Sequence, residues 1–272
     1  MLLFRYADDY YGHWLPMQIL LPAVVLANFL VVLFMGVHLL RRSRGAPLCQ
    51  RAASADAFGD HPIRKFEIGA RLYHWGNFAF LALLAISGFA LLVPGSMKPI
   101  VLSWLRTHEW TAAAFTAGLV IHLVIAPRYG RWKSMWFDGQ DWLDLKTILA
   151  NFLGRTKDYP RFGKYDPLQK LYHVFITLTA LAVIATGTFL LFSAEVWTTF
   201  SDETMRWMRL VHDCAAASFV AIILGHVYFG LIRVNWPNLL AMFTGQISPR
   251  YLRFYHDPRR WKPEAGQPRN TD

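Results

Sequence analysis

The chain has 272 residues, of which 54% are hydrophobic, and its formal net charge is +10. This composition favours a membrane protein with several spans over a soluble domain, so we expect membrane lipid and not nucleic acid around the basic residues. Two cysteines are too few for an iron–sulfur cluster or a zinc finger.

Five apolar stretches are each long enough to cross a bilayer of about 30 Å. They are, in chain order, Met17–Leu40, Leu72–Val93, His108–Ala126, Leu168–Phe192 and Leu210–Val234. If the N-terminus lies outside, 23 of the 28 lysines and arginines face the cytoplasm. This strong positive-inside pattern predicts an all-α protein of the bacterial inner membrane with five spans, N-terminus out and C-terminus in.

The five stretches also define the domain organisation. We predict an extra transmembrane helix in residues 1–45, a four-helix transmembrane bundle in residues 46–262 with a cytoplasmic loop at 127–166, and an irregular tail in residues 263–272. The first stretch is expected to be retained as a helix, because its basic residues follow the apolar run instead of preceding it.

The cytoplasmic loop contains an amphipathic segment. Trp142, Leu145 and Leu149 recur at helical spacing, and Asp141 and Asp144 lie on the opposite face. We therefore expect a helix that lies flat in the cytoplasmic membrane interface.

Two pairs of histidines repeat one spacing. His108 and His122 are fourteen residues apart, as are His212 and His226. Fourteen residues make nearly four helical turns and about 21 Å, so each pair shares one helix face with one member toward each end. Imidazoles within apolar helices are costly and usually functional.

The histidines form two levels in the predicted bundle. A b haem needs two axial imidazoles on opposite sides of its iron, and the outer level offers one pair, His108 and His212. At the inner level, the spacing from His212 indicates His226. The remaining inner histidines are His74, His122 and His173. Geometry leaves the partner of His226 open, although symmetry favours His122. The chain lacks C-x-x-C-H, so two such haems would be bound without covalent attachment.

Several short motifs occur in a characteristic order. They are R-x-x-H-W at 71–75, S-G at 87–88, G-K-Y-D-x-x-Q-K at 163–170, T-G at 186–187 and the histidines 212 and 226. With them, the chain from about Arg64 to Trp261 resembles the cytochrome b (gamma) subunits of membrane-bound formate dehydrogenases. These belong to the wider di-haem cytochrome b family of nickel–iron hydrogenases and thiosulfate reductases. The segment 163–170 is similar to one typical of the formate dehydrogenase branch.

The resemblance implies two haem b groups and a ligand set. In such proteins the first-helix histidine pairs with the inner histidine of the last helix. Carried over, His74 and His226 would ligate the inner haem, and His108 and His212 the outer haem. This favours His74 over His122 for the inner haem, against the symmetry argument.

Three further residues are candidates for cofactor binding. Arg71 lies one turn from His74 and would pair with a haem propionate or anchor the helix at the membrane surface. Asp166 and Gln169 lie in the segment that resembles a quinone-binding loop, where Asp166 replaces a frequent Asn. Alternatively, Asp166 is a helix N-cap before Pro167.

The function implied is that of an electron-transfer and quinone-reducing subunit. A periplasmic dehydrogenase, expected to be a formate dehydrogenase, would deliver electrons through an iron–sulfur subunit to the outer haem, the inner haem and then quinone near the cytoplasmic face. Substrate oxidation would belong to a molybdenum- or tungsten-containing partner subunit, so no catalytic residue is expected in this chain. Alternatives are the cytochrome b of a nickel–iron hydrogenase, a stand-alone cytochrome b561-like quinone reductase, or a non-redox membrane anchor or transporter.

Overall fold

The described part of the chain is almost entirely helical. The computed structural model describes residues 15–42, 61–92, 98–125, 131–156, 158–192, 200–232 and 235–261. Its α-helices are α1 (Leu15–Arg42), α2 (Ile68–Leu92), α3 (Lys98–Ile125), α4 (Gly139–Phe152), α5 (Pro167–Phe192), α6 (Asp202–Leu231), α7 (Trp236–Thr244) and α8 (Pro249–Tyr255). A 3-10 helix covers Arg131–Met135, and the two short strands are β1 (Ile63–Arg64) and β2 (Gln246–Ile247).

Five of these helices, α1, α2, α3, α5 and α6, are long and apolar enough to cross a membrane. The predicted all-α membrane fold with five spans is therefore confirmed. The predicted irregular tail at 263–272 lies outside the described residues, and the division at residue 45 stays a prediction.

All five spans begin earlier than hydropathy indicated, and two of them begin at least two helical turns earlier. α3 begins at Lys98 and not at His108, and α6 begins at Asp202 and not at Leu210. The extra turns contain charged residues, which lower the hydropathy without interrupting the helix, and the acidic residues in the first turn of α6 favour a helix start. His108 and His212 consequently each lie ten residues inside their helices.

The described residues fall into two compact units. Those within 1–41, 79–117 and 174–228 form the first unit, and those within 42–78, 118–173 and 229–272 form the second. The first unit holds the outer histidines and most of the length of α1 and α6. The second holds β1, β2, α4, α7 and α8 and the first turns of α2 and α5.

The core of the first unit contains an aromatic pair. Phe115 of α3 and Phe219 of α6 are buried, with ring centroids 6.4 Å apart. Ala180 of α5 completes the buried cluster, and partly buried side chains of α2, α5 and α6 pack against it. Each phenylalanine follows its helix's outer histidine, His108 or His212, by seven residues, which places the pair about 10 Å further along both helices.

The first span, α1, packs along α6. Leu21 of α1 packs against buried Leu210. Met35 lies beside Gly225, where an added Cβ would come within 3.3 Å of the methionine methyl carbon. Close approach at a glycine is a common way for membrane helices to pack.

In the second unit, the short strands β1 and β2 pair with each other. Ile63 pairs with Ile247 in an antiparallel ladder, and the Gly245 carbonyl accepts hydrogen bonds from the backbone N–H groups of Lys65 and Phe66. Gly245 has a φ of 81°, and an added Cβ would lie 2.9 Å from the Phe66 carbonyl oxygen. Only glycine fits this position without strain.

The predicted amphipathic helix is present as α4, and its position flat in the membrane interface stays a prediction. Asp141 and Asp144 are buried, whereas the Trp142 and Leu149 side chains are exposed. The cause is a pair of long-range partners. Lys170 Nζ lies 2.7 Å from an Asp141 oxygen, and Arg260 donates hydrogen bonds to both aspartates. Carboxylates become stable in the interior when such cations pair with them.

Candidate functional site

The two outer histidines face each other across the first unit. His108 of α3 and His212 of α6 have ring centroids 6.4 Å apart and ring planes at 75°. Both rings are partly buried. The structure thus brings together the pair that the sequence predicted as outer ligands.

This separation suits one iron atom between the two rings. Two metal–imidazole bonds of about 2.0 Å, with each ring centroid about 1.1 Å behind its nitrogen, separate the centroids by about 6.2 Å. The observed 6.4 Å agrees with that value. The residues therefore fit a bis-histidine haem iron, a common form of b-type ligation.

A hydroxyl and a glycine accompany each of these rings. Ser87 Oγ of α2 lies 2.9 Å from Nδ1 of His108. Next to it, a Cβ on Gly88 would meet the same ring at 3.5 Å. The S-G motif therefore contacts one ligand candidate directly.

The T-G motif of α5 repeats this arrangement on the other side. Thr186 Oγ1 lies 3.0 Å from Nδ1 of His212, and a Cβ on Gly187 would lie 3.1 Å from its Cε1 atom. Sequence comparison alone identified S-G and T-G as family motifs without indicating their contacts. Their roles depend on which histidine the bundle brings to each motif.

The inner histidines have different surroundings. His74 lies partly buried in the first turns of α2, where neighbouring Trp75 donates a hydrogen bond to the Met242 carbonyl at 3.2 Å. His122 of α3 stacks on Tyr73 with ring centroids 3.9 Å apart. The remaining two inner candidates, His173 and His226, are exposed.

Arg71 lies where an anion would be stabilised. Its guanidinium is close to Gly245, since an added Cβ there would lie 2.9 Å from Arg71 Nη1. Its Nε atom is buried and has no acceptor among the described residues. An orphaned buried guanidinium nitrogen, one turn from His74, fits a carboxylate such as a haem propionate.

Asp166 and Gln169 form a reciprocal cap at the start of α5. The Gln169 N–H donates to Asp166 Oδ1 at 2.8 Å, and the Asp166 N–H donates to Gln169 Oε1 at 3.2 Å. Pro167 occupies the first helical position. The N-cap arrangement considered as the alternative is therefore present. Burial raises the pKa of the Asp166 carboxyl, while nearby Lys65 opposes that shift.

A buried polar cluster that sequence reasoning missed lies near this cap. Lys65 Nζ donates to Asn238 Oδ1 at 2.7 Å, and the Asn238 amide donates to the Tyr251 hydroxyl at 2.7 Å. Burial lowers the pKa of Lys65 to about 7. His256 is 1% exposed and its Nδ1 lies 2.6 Å from the Gly163 carbonyl oxygen. In the sequence, nothing distinguishes Lys65 from the other basic residues predicted to face the cytoplasm.

The family model of prokaryotic cytochrome b561 matches residues 65–245. The chain belongs to this family. It is therefore a multi-pass membrane cytochrome b of a family that binds haem b, and a role in transmembrane electron transfer follows from that membership. The match begins after α1, so α1 lies outside the matched residues. A search of curated proteins finds no match to the chain.

Proposed function

We propose that this cytochrome b561-family protein is a di-haem b subunit that carries electrons across the bacterial inner membrane from a periplasmic dehydrogenase to quinone. The observation that carries the proposal is the separation of 6.4 Å between the His108 and His212 rings. It fits an iron held at the outer level of the bundle. Each bound haem would supply an iron that alternates between the ferric and ferrous states.

The protein's own residues would bind, orient and bury one haem at each of two levels. His108 and His212 would hold the outer haem, and His226, fourteen residues after His212 on the same helix, would hold the inner haem with His74. The stacking of His122 on Tyr73 supports His74 over His122. The Arg71 guanidinium would bind a propionate of the inner haem.

Haem counting tests the ligand proposal. We expect about two haems per chain in a pyridine haemochrome assay, since four histidines supply two bis-histidine sites. His108→Ala and His212→Ala should each remove the same haem from the visible spectrum. Loss of spectroscopically different haems would contradict the outer pair, and a protein without haem would indicate a non-redox anchor or transporter.

Quinone reduction would occur near the cytoplasmic end of α5. Asp166 and Gln169 offer polar atoms there, and burial raises the pKa of the Asp166 carboxyl, which favours its protonated form. The cap hydrogen bonds use one oxygen of each side chain. A carboxyl retains a second oxygen for a ligand.

Two substitutions separate quinone contact from capping. Asp166→Ala removes both roles, whereas Asp166→Ser keeps an N-cap of similar quality. If Asp166 contacts quinone, both variants should keep two reducible haems but reoxidise more slowly with quinone. Normal reoxidation in Asp166→Ser, with a stability loss of about 1 kcal/mol only in Asp166→Ala, would assign a capping role alone.

The electron donor is proposed to be formate dehydrogenase, acting through an iron–sulfur subunit and a molybdenum- or tungsten-containing catalytic subunit. The resemblance of segment 163–170 to the formate dehydrogenase branch supports this choice. Purification of the native complex tests it, because the copurifying subunits and metals identify the donor. A nickel-containing partner would indicate a hydrogenase cytochrome b, and a chain that purifies alone would indicate a stand-alone quinone reductase.

A further inference from the structure

Two hydroxyl groups on different helices contact the outer histidines in the same way. Ser87 Oγ of α2 lies 2.9 Å from Nδ1 of His108, and Thr186 Oγ1 of α5 lies 3.0 Å from Nδ1 of His212. Ser87 is 0% exposed and Thr186 is 7% exposed. Each contact is therefore shielded from water. In such an environment a hydrogen bond has a larger effect on its partner than it has in water.

The direction of both hydrogen bonds follows from a second contact. Ser87 Oγ lies 2.7 Å from the Leu83 carbonyl oxygen, and Thr186 Oγ1 lies 2.6 Å from the Ala182 carbonyl oxygen. A carbonyl oxygen only accepts, so each hydroxyl donates its single proton there. Toward the histidine, the hydroxyl can then act only as an acceptor.

This requirement selects one tautomer of each ring. Nδ1 must carry the proton that the hydroxyl accepts, which leaves the lone pair of the neutral imidazole on Nε2. Nε2 is the atom that remains available to a metal. We infer that Ser87 and Thr186 are positioning residues that fix His108 and His212 in the Nε2-ligating tautomer for the outer haem iron. This inference rests on the proposed function.

The arrangement also has an electronic consequence. An imidazole whose Nδ1–H donates a hydrogen bond is a better electron donor through Nε2, which favours ferric iron. Loss of either hydroxyl should therefore move the outer haem to a more positive midpoint potential. Loss of such supporting contacts typically lowers metal affinity about 10-fold or more, so outer haem retention should also fall.

The experiment uses the full-length protein in detergent. The test variants are Ser87→Ala and Thr186→Ala, and the rescue variants Ser87→Thr and Thr186→Ser restore a hydroxyl. Thr179→Ala is the matched control. Thr179 makes the same bond to the preceding turn, 2.8 Å to the Phe175 carbonyl, on the same helix as Thr186.

Optical redox titration gives the two midpoint potentials, and the haemochrome assay gives the haem retained per chain after dilution. His108→Ala identifies the outer haem as the one that it deletes. We expect the outer potential alone to rise in both alanine variants, to return in the rescue variants and to stay unchanged in Thr179→Ala. A merely structural role would not shift one potential selectively.

Two results would overturn the inference in distinguishable ways. If His108→Ala deletes one haem but both alanine variants keep the parental potentials and haem retention, the hydroxyls do not position the ligands, and the proposed function stands. If His108→Ala retains both haems, the ligand assignment fails, and this inference fails with it.

Discussion

Each outer histidine ring lies close to a glycine of a neighbouring helix. The two glycines differ in the space that they leave between their Cα atom and the ring. A Cβ at position 187 would lie 3.1 Å from His212 Cε1, whereas a Cβ at position 88 would lie 3.5 Å from His108 Cε1. The first distance demands a shift of the ring, and the second is an ordinary van der Waals contact.

These distances predict unequal effects for the same substitution. Gly187→Ala should displace the His212 ring and weaken the outer haem, whereas Gly88→Ala should retain it. Both variants gain about 1 kcal/mol of helix propensity, so the comparison cancels that contribution. The haemochrome assay measures the outcome, and equal haem loss in the two variants would contradict it.

Lys65 is a second residue whose environment determines its behaviour. Its pKa falls to about 7 because it is buried, although Asp166 raises it and Lys164 lowers it further. Between about pH 7 and the pKa of an unfolded lysine near 10.4, the unfolded chain holds a proton that the folded protein lacks. Stability must therefore rise with pH across this window.

Lys65→Met should remove that dependence. The melting temperature of the parent protein should increase from pH 7 to pH 9.5 relative to that of the variant, because only the parent loses a buried proton. Lys133, which is exposed, provides the control as Lys133→Met. A parallel pH profile for parent and Lys65→Met would show that Lys65 keeps its proton in the folded state.

Among the helices, α4 shows that an apolar pattern can predict a helix without predicting which of its sides is buried. The pattern correctly predicted a helix, but the side that it buries is set by Lys170 and Arg260, which lie far along the chain from Asp141 and Asp144. Hydrophobic periodicity contains no information on such distant partners. The exposed Trp142 and Leu149 remain suited to the membrane interface.

The ion pairs of Asp141 and Asp144 with Lys170 and Arg260, called here the ionic clamp, lead to a stability prediction. Asp141→Asn leaves the Lys170 ammonium, whose side chain is 8% exposed, without a charged partner, which typically costs about 3–5 kcal/mol in a buried pair. Chemical unfolding in detergent measures this loss.

Asp257→Asn is the matched control for the clamp. Its partner Arg259 has an 89% exposed side chain, and water screens such an exposed pair, so the loss of stability should be small. Similar losses of stability in the two variants would mean that the Asp141–Lys170 pair is effectively solvated.

Helix boundaries and site contacts show where sequence reasoning stops. Hydropathy located all five spans because length and apolar content alone define them, but it missed the polar first turns of α3 and α6. The predicted topology placed His108 and His212 at the same outer level, and the structure brings their rings to a centroid distance of 6.4 Å. The topology gave no information on Ser87 or Thr186, because the packing of α2 and α5 decides which ring each hydroxyl reaches.

Across the molecule, α3 and α6 carry an outer histidine and a buried phenylalanine in the same order along the helix. The outer histidines come first on α3 and α6. The buried Phe115 and Phe219 pair follows seven residues later, and His226 seven residues after that. The buried Phe219 therefore lies midway along α6 between His212 and His226. In the proposed function electrons pass from the outer haem to the inner haem, so electron transfer to quinone depends on both haems being bound.

That dependence makes the inner ligand testable by electron flow. In His74→Ala, we expect one haem per chain, and a periplasmic electron donor should reduce this outer haem without onward transfer to quinone. His122→Ala should retain two haems and normal flow, because His122 is stacked on Tyr73 and is not proposed as a ligand. Stopped-flow spectra of haem reduction and quinone-driven reoxidation measure both steps. The opposite pattern, with flow kept in His74→Ala and lost in His122→Ala, would assign the inner iron to His122, as the symmetry of the fourteen-residue spacing favoured.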